Sequence, residues 1–397
     1  MIANMTPLDR GERTERPASL AAASPIPRTI RDHRIDSLRG AALLMMLADH
    51  MPDDLLNRIT MRNFGFADAA EIFVLLAGYA SFLAYGRLID RQGWSTGIKR
   101  IAGRCGRLYF YQTAMTLVFV WTVRHWRHYE PVPEYILEPQ LAHGYGWLWR
   151  ILTFDALPSY LNILPLYIIL LALFPLIYRI MKESAWVLFG ISAAIWAVSN
   201  IDPRLTIPNW LDPNGWYLNP FAWQFLYTLG VLGALWASRH GGDLPYKRWA
   251  RTLCWLYLAG AFVLCFPYEY WHVPSLRLFP APAANGKSTL VPWRLLDILS
   301  IFYLVQSSEL LKRFSGGKLG QALAMLGRNS LEIFSFSTVL DLVGRLVFGS
   351  FGTGIALQII INVVGLTLVF VLAVPLDRSR QKAKAARNNQ AAASRPG

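Results

Sequence analysis

The sequence predicts an all-α polytopic membrane protein, a bundle of about ten transmembrane helices with both termini in the cytoplasm. Three observations predict it. The 397 residues are 54% hydrophobic and only 16% charged, against about 25% charged in an ordinary soluble domain. Several apolar runs approach the roughly 20 residues that cross a bilayer core. The 39 lysines and arginines gather in alternate connections, the pattern that membrane topology demands.

Ten segments read as spans: 37–56, 64–86, 107–124, 160–181, 185–201, 220–238, 252–268, 291–311, 326–347 and 353–376. The first is short in apolar residues and flanked by charge, so it needs neighbouring helices to cover its polar groups. The last is the cleanest, with no charge between Thr353 and Leu376. The connections between them assign the sides. Seven basic residues precede or include Arg39, six follow the second span, and Arg179 and Lys182 close the fourth. Arg239, Lys247, Arg248 and Arg251 lie between the sixth and seventh. Lys312, Arg313, Lys318 and Arg328 come before the ninth, and six more sit in the C-terminal tail. That places 29 on one side and ten on the other, which the positive-inside rule reads as cytoplasmic termini. An even number of spans agrees.

The ends are of another kind. Residues 1–33 are polar and rich in Ala, Pro and Arg, without the continuous apolar core of a signal peptide. They read as a disordered basic tail, as do residues 377–397. Between them, residues 34–376 form the transmembrane domain. The net charge of +14 follows topology rather than a nucleic-acid-binding face, so nucleic acid is not an expected partner. Cys105, Cys254 and Cys265 are odd in number and widely spaced, giving neither a disulfide framework nor a metal site. The connections 125–159, 202–219 and 269–290 are rich in aromatic and polar residues, which suits either a sugar or an interfacial aromatic belt. No internal repeat is visible, which weighs against an inverted-repeat transporter.

Ionisable groups inside such a bundle are costly and mark candidate sites. Arg39 and His50 bracket the first span. Eleven helical steps make about three turns and carry the two to one face, about 16 Å apart along the axis. His50 is the candidate base, because imidazole titrates near neutrality; a structural histidine at the interface is the alternative. Asp49 could orient it from the helix end. Asp36 and Arg39 are i and i+3, so they form a helix-start ion pair or serve substrate directly. Glu71 stands before a long apolar run and should find a partner in the interior, Arg39 or His50. Arg104 and Arg107 share one face at the start of the third span. Two guanidinium forks there suit phosphate groups, or simple anchoring. The string Asn285-Gly-Lys-Ser-Thr lacks the earlier glycine of a phosphate-binding loop, since Ala281 stands in its place.

As a set, these residues resemble the acyltransferase-3 membrane family. Arg39 ahead of His50, Glu71 with Ala77-Gly78-Tyr79, and Arg104 with Arg107 carry the likeness. Its OpgC branch, the succinyl transferases of osmoregulated periplasmic glucans, is similar in further strings. They include Arg34-Ile-Asp36-Ser-Leu-Arg39-Gly40, Asn63-Phe-Gly-Phe, Ile163-Leu-Pro-Leu-Tyr167, Trp216 to Phe225, Lys287-Ser-Thr-Leu ahead of Arg294, and Leu326-Gly-Arg-Asn-Ser-Leu331. The resemblance spans about residues 30–376.

It implies a bacterial inner-membrane enzyme moving an acyl group, succinyl first, from cytoplasmic acyl-CoA to a hydroxyl of a periplasmic glucan. His50 would act as general base, or in a variant carry the acyl group itself. Arg39 or a polar neighbour would stabilise the oxyanion, and Arg104 and Arg107 would hold the donor's phosphates. Arg294 or Lys287 would meet a succinyl carboxylate. The donor acyl-CoA is a co-substrate, no metal is expected, and the partners are a glucan or other polysaccharide and the bilayer. An O-acetyltransferase acting on another surface polysaccharide, or a non-enzymatic glycan or lipid carrier, are the competing readings.

Overall fold

The computed structural model describes residues 33–51, 54–126, 146–158, 160–277 and 284–393. Among them the regular structure is helical, apart from one isolated bridge between Asn209 and Asp212. In chain order the helices are α1 (His33–Asp49), α2 (Ala69–Ser81), α3 (Arg87–Gln92), α4 (Trp94–His125) and α5 (Gly146–Leu152). Then come α6 (Ile163–Glu183), α7 (Ala185–Ile201), α8 (Pro220–Arg239) and α9 (Arg248–Cys265). The last five are α10 (Pro292–Gln306), α11 (Glu309–Gly316), α12 (Lys318–Arg328), α13 (Ser330–Phe351) and α14 (Ile355–Ala393). A π-turn at Phe82–Gly86 joins α2 to α3 into one rod. Each of the ten expected segments contains one of these helices for most of its length.

Among the described residues, three helical rods are long and apolar enough to cross a membrane: Ala69–Gln92, Ile163–Glu183 and Ile355–Ala386. Others are short, α1 and α7 at 17 residues and α10 at 15. Apolar side chains nonetheless face outward all along the bundle. Trp186 is 83% exposed, Leu256 65% and Val363 58%. Apolar exposure on this scale marks a surface that water does not cover.

Two crossings set the interior, and both depend on missing side chains. Where α1 meets α12, a Cβ on Gly40 would lie 1.9 Å from the Leu323 carbonyl oxygen, and one on Gly327 would lie 1.9 Å from the Asp36 carbonyl oxygen. Where α2 meets α8, a Cβ on Gly78 would meet the Tyr227 oxygen at 2.0 Å, and one on Gly230 the Leu75 oxygen at 2.1 Å. Reciprocal glycines let backbones approach as closely as membrane helices do. This is the physical reason for the glycines in the Arg39-Gly40, Ala77-Gly78-Tyr79 and Leu326-Gly327 strings.

One end of the bundle is tied by charge. Buried Arg34 of α1 donates to the Gln306 carbonyl oxygen at 2.8 Å and pairs with Asp243 of the α8–α9 connection. Lys312 reaches the same carboxylate at 2.9 Å. Burial opposes the Asp243 charge, but Lys312 and Arg34 together outweigh it and hold its pKa below the usual carboxylate value. Lys312 is raised in turn by its hydrogen bond to Asp243.

The C-terminal segment departs from expectation. Residues 378–393, read as part of a disordered tail, continue α14 as helix. Their alanines, lysines, arginines and glutamines are strong helix formers with no breaker among them. Arg328 clamps this helix to α12 with two bonds to the Asp377 carboxylate, at 2.9 and 2.8 Å. The disordered tail expected over residues 1–33 lies outside the described residues except for His33, which opens α1; most of the 125–159 connection lies outside them too.

Candidate functional site

His50 is the first residue beyond α1, where the chain leaves the helix for two short 3-10 turns, Leu56–Ile59 and Met61–Asn63. It lines a cavity of about 380 Å³ with Asp49, Asp54, Asn57, Arg58, Arg62, Asn63, Tyr160, Pro267 and Tyr270. These residues come from three separate connections. The volume is within the range of small-molecule sites, roughly 300–1,000 Å³.

Three groups fix the histidine. Its Nδ1 lies 3.2 Å from Oδ2 of Asp341, a buried carboxylate halfway along α13. One turn later Arg345 donates from Nε to the His50 carbonyl oxygen at 2.5 Å. The Tyr160 ring meets the imidazole edge-on, with centroids 5.2 Å apart, and takes the Arg345 guanidinium on its face at 3.5 Å. Tyr160 has φ +71°, a strained value for a non-glycine residue; such strain clusters at functional sites. An acceptor at Nδ1 selects the tautomer with its proton there, which leaves the Nε2 lone pair available. No described residue bonds to Nε2.

The carboxylate that orients His50 is therefore Asp341, not Asp49. Asp49 instead accepts from the Thr60 hydroxyl at 2.5 Å. Adjacent residues on a helix point about 100° apart, which turns Asp49 away from the ring.

Glu71 also takes a different partner from the expected Arg39 or His50. Asp68 is the N-cap of α2 and accepts from the Ala70 amide at 2.8 Å, while Glu71 accepts from the Asp68 amide at 3.0 Å. This reciprocal capping box aims both carboxylates at Arg294, the third residue of α10. Arg294 meets Glu71 at 2.6 Å and Asp68 at 3.3 Å, and Lys287 meets Asp68 at 2.5 Å. Two acids and two bases thus neutralise one another. Burial works against the Lys287 ammonium, but Asp68 and Glu71 outweigh it and lift its pKa above the ordinary value. The cations expected to meet a succinyl carboxylate are already engaged, and the cluster reads as a buried clamp between α2 and α10.

Arg39 lies three turns back along α1 and donates to the Leu76 carbonyl oxygen at 3.2 Å. That spacing, about 16 Å of helix, separates it from anything reacting at His50. Asp36 is buried on the same helix, where α1 crosses α12. Arg104 and Arg107 sit about three turns inside α4 rather than at its start, because the helix begins at Trp94. Arg107 pairs with Glu332 of α13 at 2.8 Å; no described residue forms an ion pair with Arg104. The described residues hold no cluster of three metal-ligating side chains, and the three cysteines are free thiols.

Sequence reasoning missed Asp341, Arg345 and Tyr160. The first two carried a signal. Asp341 is a lone carboxylate in an apolar run, four residues before an arginine, and such groups are rare inside membrane bundles.

Comparison with known families now bears on this geometry. A family model described as "OpgC protein" matches residues 31–381. The chain belongs to the OpgC family. Membership supports an acyltransferase related to osmoregulated periplasmic glucans. The matched region takes in α1 through most of α14, and with them every residue that orients His50 in this OpgC member. No curated protein and no solved structure matches the chain.

Proposed function

We propose that this OpgC-family protein is a multi-pass inner-membrane enzyme of the acyltransferase-3 type. It transfers an acyl group, succinyl by first choice, from acyl-CoA on the cytoplasmic side to a hydroxyl of a periplasmic glucan. The observation that carries this reading is His50, held through Nδ1 by buried Asp341 at 3.2 Å while its ring lines the cavity.

In this scheme Nε2 takes the proton of an acceptor hydroxyl as its oxygen attacks the thioester carbonyl. The tetrahedral intermediate collapses, the carbon–sulfur bond breaks, and the proton passes from the imidazolium to the leaving thiolate. The products are a glucan ester and coenzyme A. Asp341 stabilises the imidazolium while it exists, and Arg345 with Tyr160 keeps the ring from turning. The cavity end of α1 is the outer end under the positive-inside assignment, so the acceptor arrives directly. The donor approaches along the bundle from the other end, with its phosphates at Arg104 and Arg107. Arg39 lies along that path and is too distant to serve the oxyanion.

The test supplies purified protein with succinyl-CoA or acetyl-CoA and a linear β-glucan, following thiol release and the mass of the glucan. Acceptor-dependent thiol release with succinyl-CoA, matched by a heavier glucan, is expected. No release with either donor, together with glucan movement across vesicles, would replace the enzyme by a carrier.

A further inference from the structure

We infer that the cavity beside His50 is a subsite that seats one neutral sugar ring, read by Asp54 and Arg58 and lined by Tyr270. This deepens the proposed function and rests on it for the identity of the acceptor.

The charges around the cavity come in opposite pairs. Besides His50, the cavity carries two carboxylates, Asp49 and Asp54, and two guanidiniums, Arg58 and Arg62. Asp341 and Arg345 behind the imidazole add one of each sign. By formal charge the wall is balanced, with no surplus of cations built to hold an anion. A sugar hydroxyl, which both donates and accepts, matches a wall of mixed sense.

That wall has unmet capacity. Asp54 is 1% exposed; its Oδ1 accepts from Asn362 at 2.6 Å, but its buried Oδ2 has no partner. Arg58, four residues on, has a buried Nε without a partner. One orphan accepts and the other donates, and both residues line the cavity. Leaving such groups unmade is costly, so two of them beside one cavity point to a polar occupant. The guanidinium of Arg58 rests on the Tyr270 ring at 4.3 Å, and that ring is 48% exposed. A half-exposed aromatic beside paired polar groups is the arrangement that takes the C–H face of a sugar.

The experiment is calorimetric titration of the purified full-length protein with a linear β-gluco-oligosaccharide, in parallel with succinate. Asp54→Asn keeps an oxygen for Asn362 and turns the orphan acceptor into a donor. Arg58→Gln keeps a polar side chain but is shorter and lacks the guanidinium, at a half-buried position, so it stands in should the first variant fold poorly. The oligosaccharide should bind the wild type and lose at least tenfold affinity in both subsite variants, with no binding of succinate. Unchanged affinity in both variants, or succinate binding where the oligosaccharide does not, would overturn the subsite. Because titration needs no turnover, sugar binding that depends on Asp54 and Arg58 in a protein without transferase activity would uphold the subsite and sink the catalytic reading instead.

Discussion

Asp341→Asn isolates the function of the carboxylate behind His50. The side chain keeps its size at a buried position but loses its charge. If its amide nitrogen turns toward the ring, Nδ1 must accept, and the proton moves to Nε2, where it blocks the base. A hydrogen bond to a charged group contributes about 1.5–3 kcal/mol. With about 1.4 kcal/mol per tenfold in rate, kcat should fall by roughly 10- to 150-fold. The separation of 3.2 Å allows more, since unit charges at about 4 Å interact by about 4 kcal/mol at an effective dielectric of 20. The assay is thiol release from succinyl-CoA at saturating β-glucan, with a melting curve on the same preparation. The KM for the donor should not move, because Asp341 lies at the acceptor end. A folded variant with kcat within threefold of wild type would refute the orientation argument.

Four further outcomes follow from the same geometry. His50→Ala should abolish transfer while leaving folding and donor binding intact, checked by turnover, melting and coenzyme A titration. Arg104→Ala should raise the donor's KM more than it lowers kcat, since it removes ground-state binding; steady-state kinetics in succinyl-CoA would show this, and an unchanged KM would return that arginine to anchoring. Glu71→Gln should leave Arg294 and Lys287 to share Asp68 as their counter-charge and destabilise the protein by up to about 3–5 kcal/mol, read as a lowered melting temperature, with the kcat of the folded fraction little changed. Asp243 has a lowered folded-state pKa, so its contribution is complete above the unfolded carboxylate value, about 3.9, and is lost as pH falls through the folded value. The melting-temperature gap between wild type and Asp243→Asn should therefore be constant near neutrality and close on acidification; a gap that persists at the lowest pH would contradict the pairing.

Much of the helical plan was legible because apolar runs report on helix position and length independently of contacts. His50 was legible for a related reason, as an imidazole at the end of a short apolar run. What could not be read was partner choice. Glu71 looked like a functional carboxylate, yet Asp68-x-x-Glu71 is also a helix-start signature, and the capping box turned both acids toward Arg294. Asp49 was a candidate to orient the ring because it is adjacent in sequence, whereas the acid that meets the ring lies 291 residues away. Tyr160 carried no signal, since its contribution depends on a positive φ and on Arg345 crossing its ring. The helical course of residues 378–393 was legible in principle from their propensities, but their charge and polarity favoured the reading as a tail.

The most direct test places the two substrates on opposite sides of one membrane. Protein is reconstituted into vesicles with succinyl-CoA sealed on the face of the basic connections and linear β-glucan on the other, and the glucan is weighed by mass spectrometry. Wild type should yield succinylated glucan outside with coenzyme A thiol appearing inside, and His50→Ala should yield neither. Succinylated glucan at wild-type levels from His50→Ala, or glucan that crosses the membrane unmodified, would contradict the account.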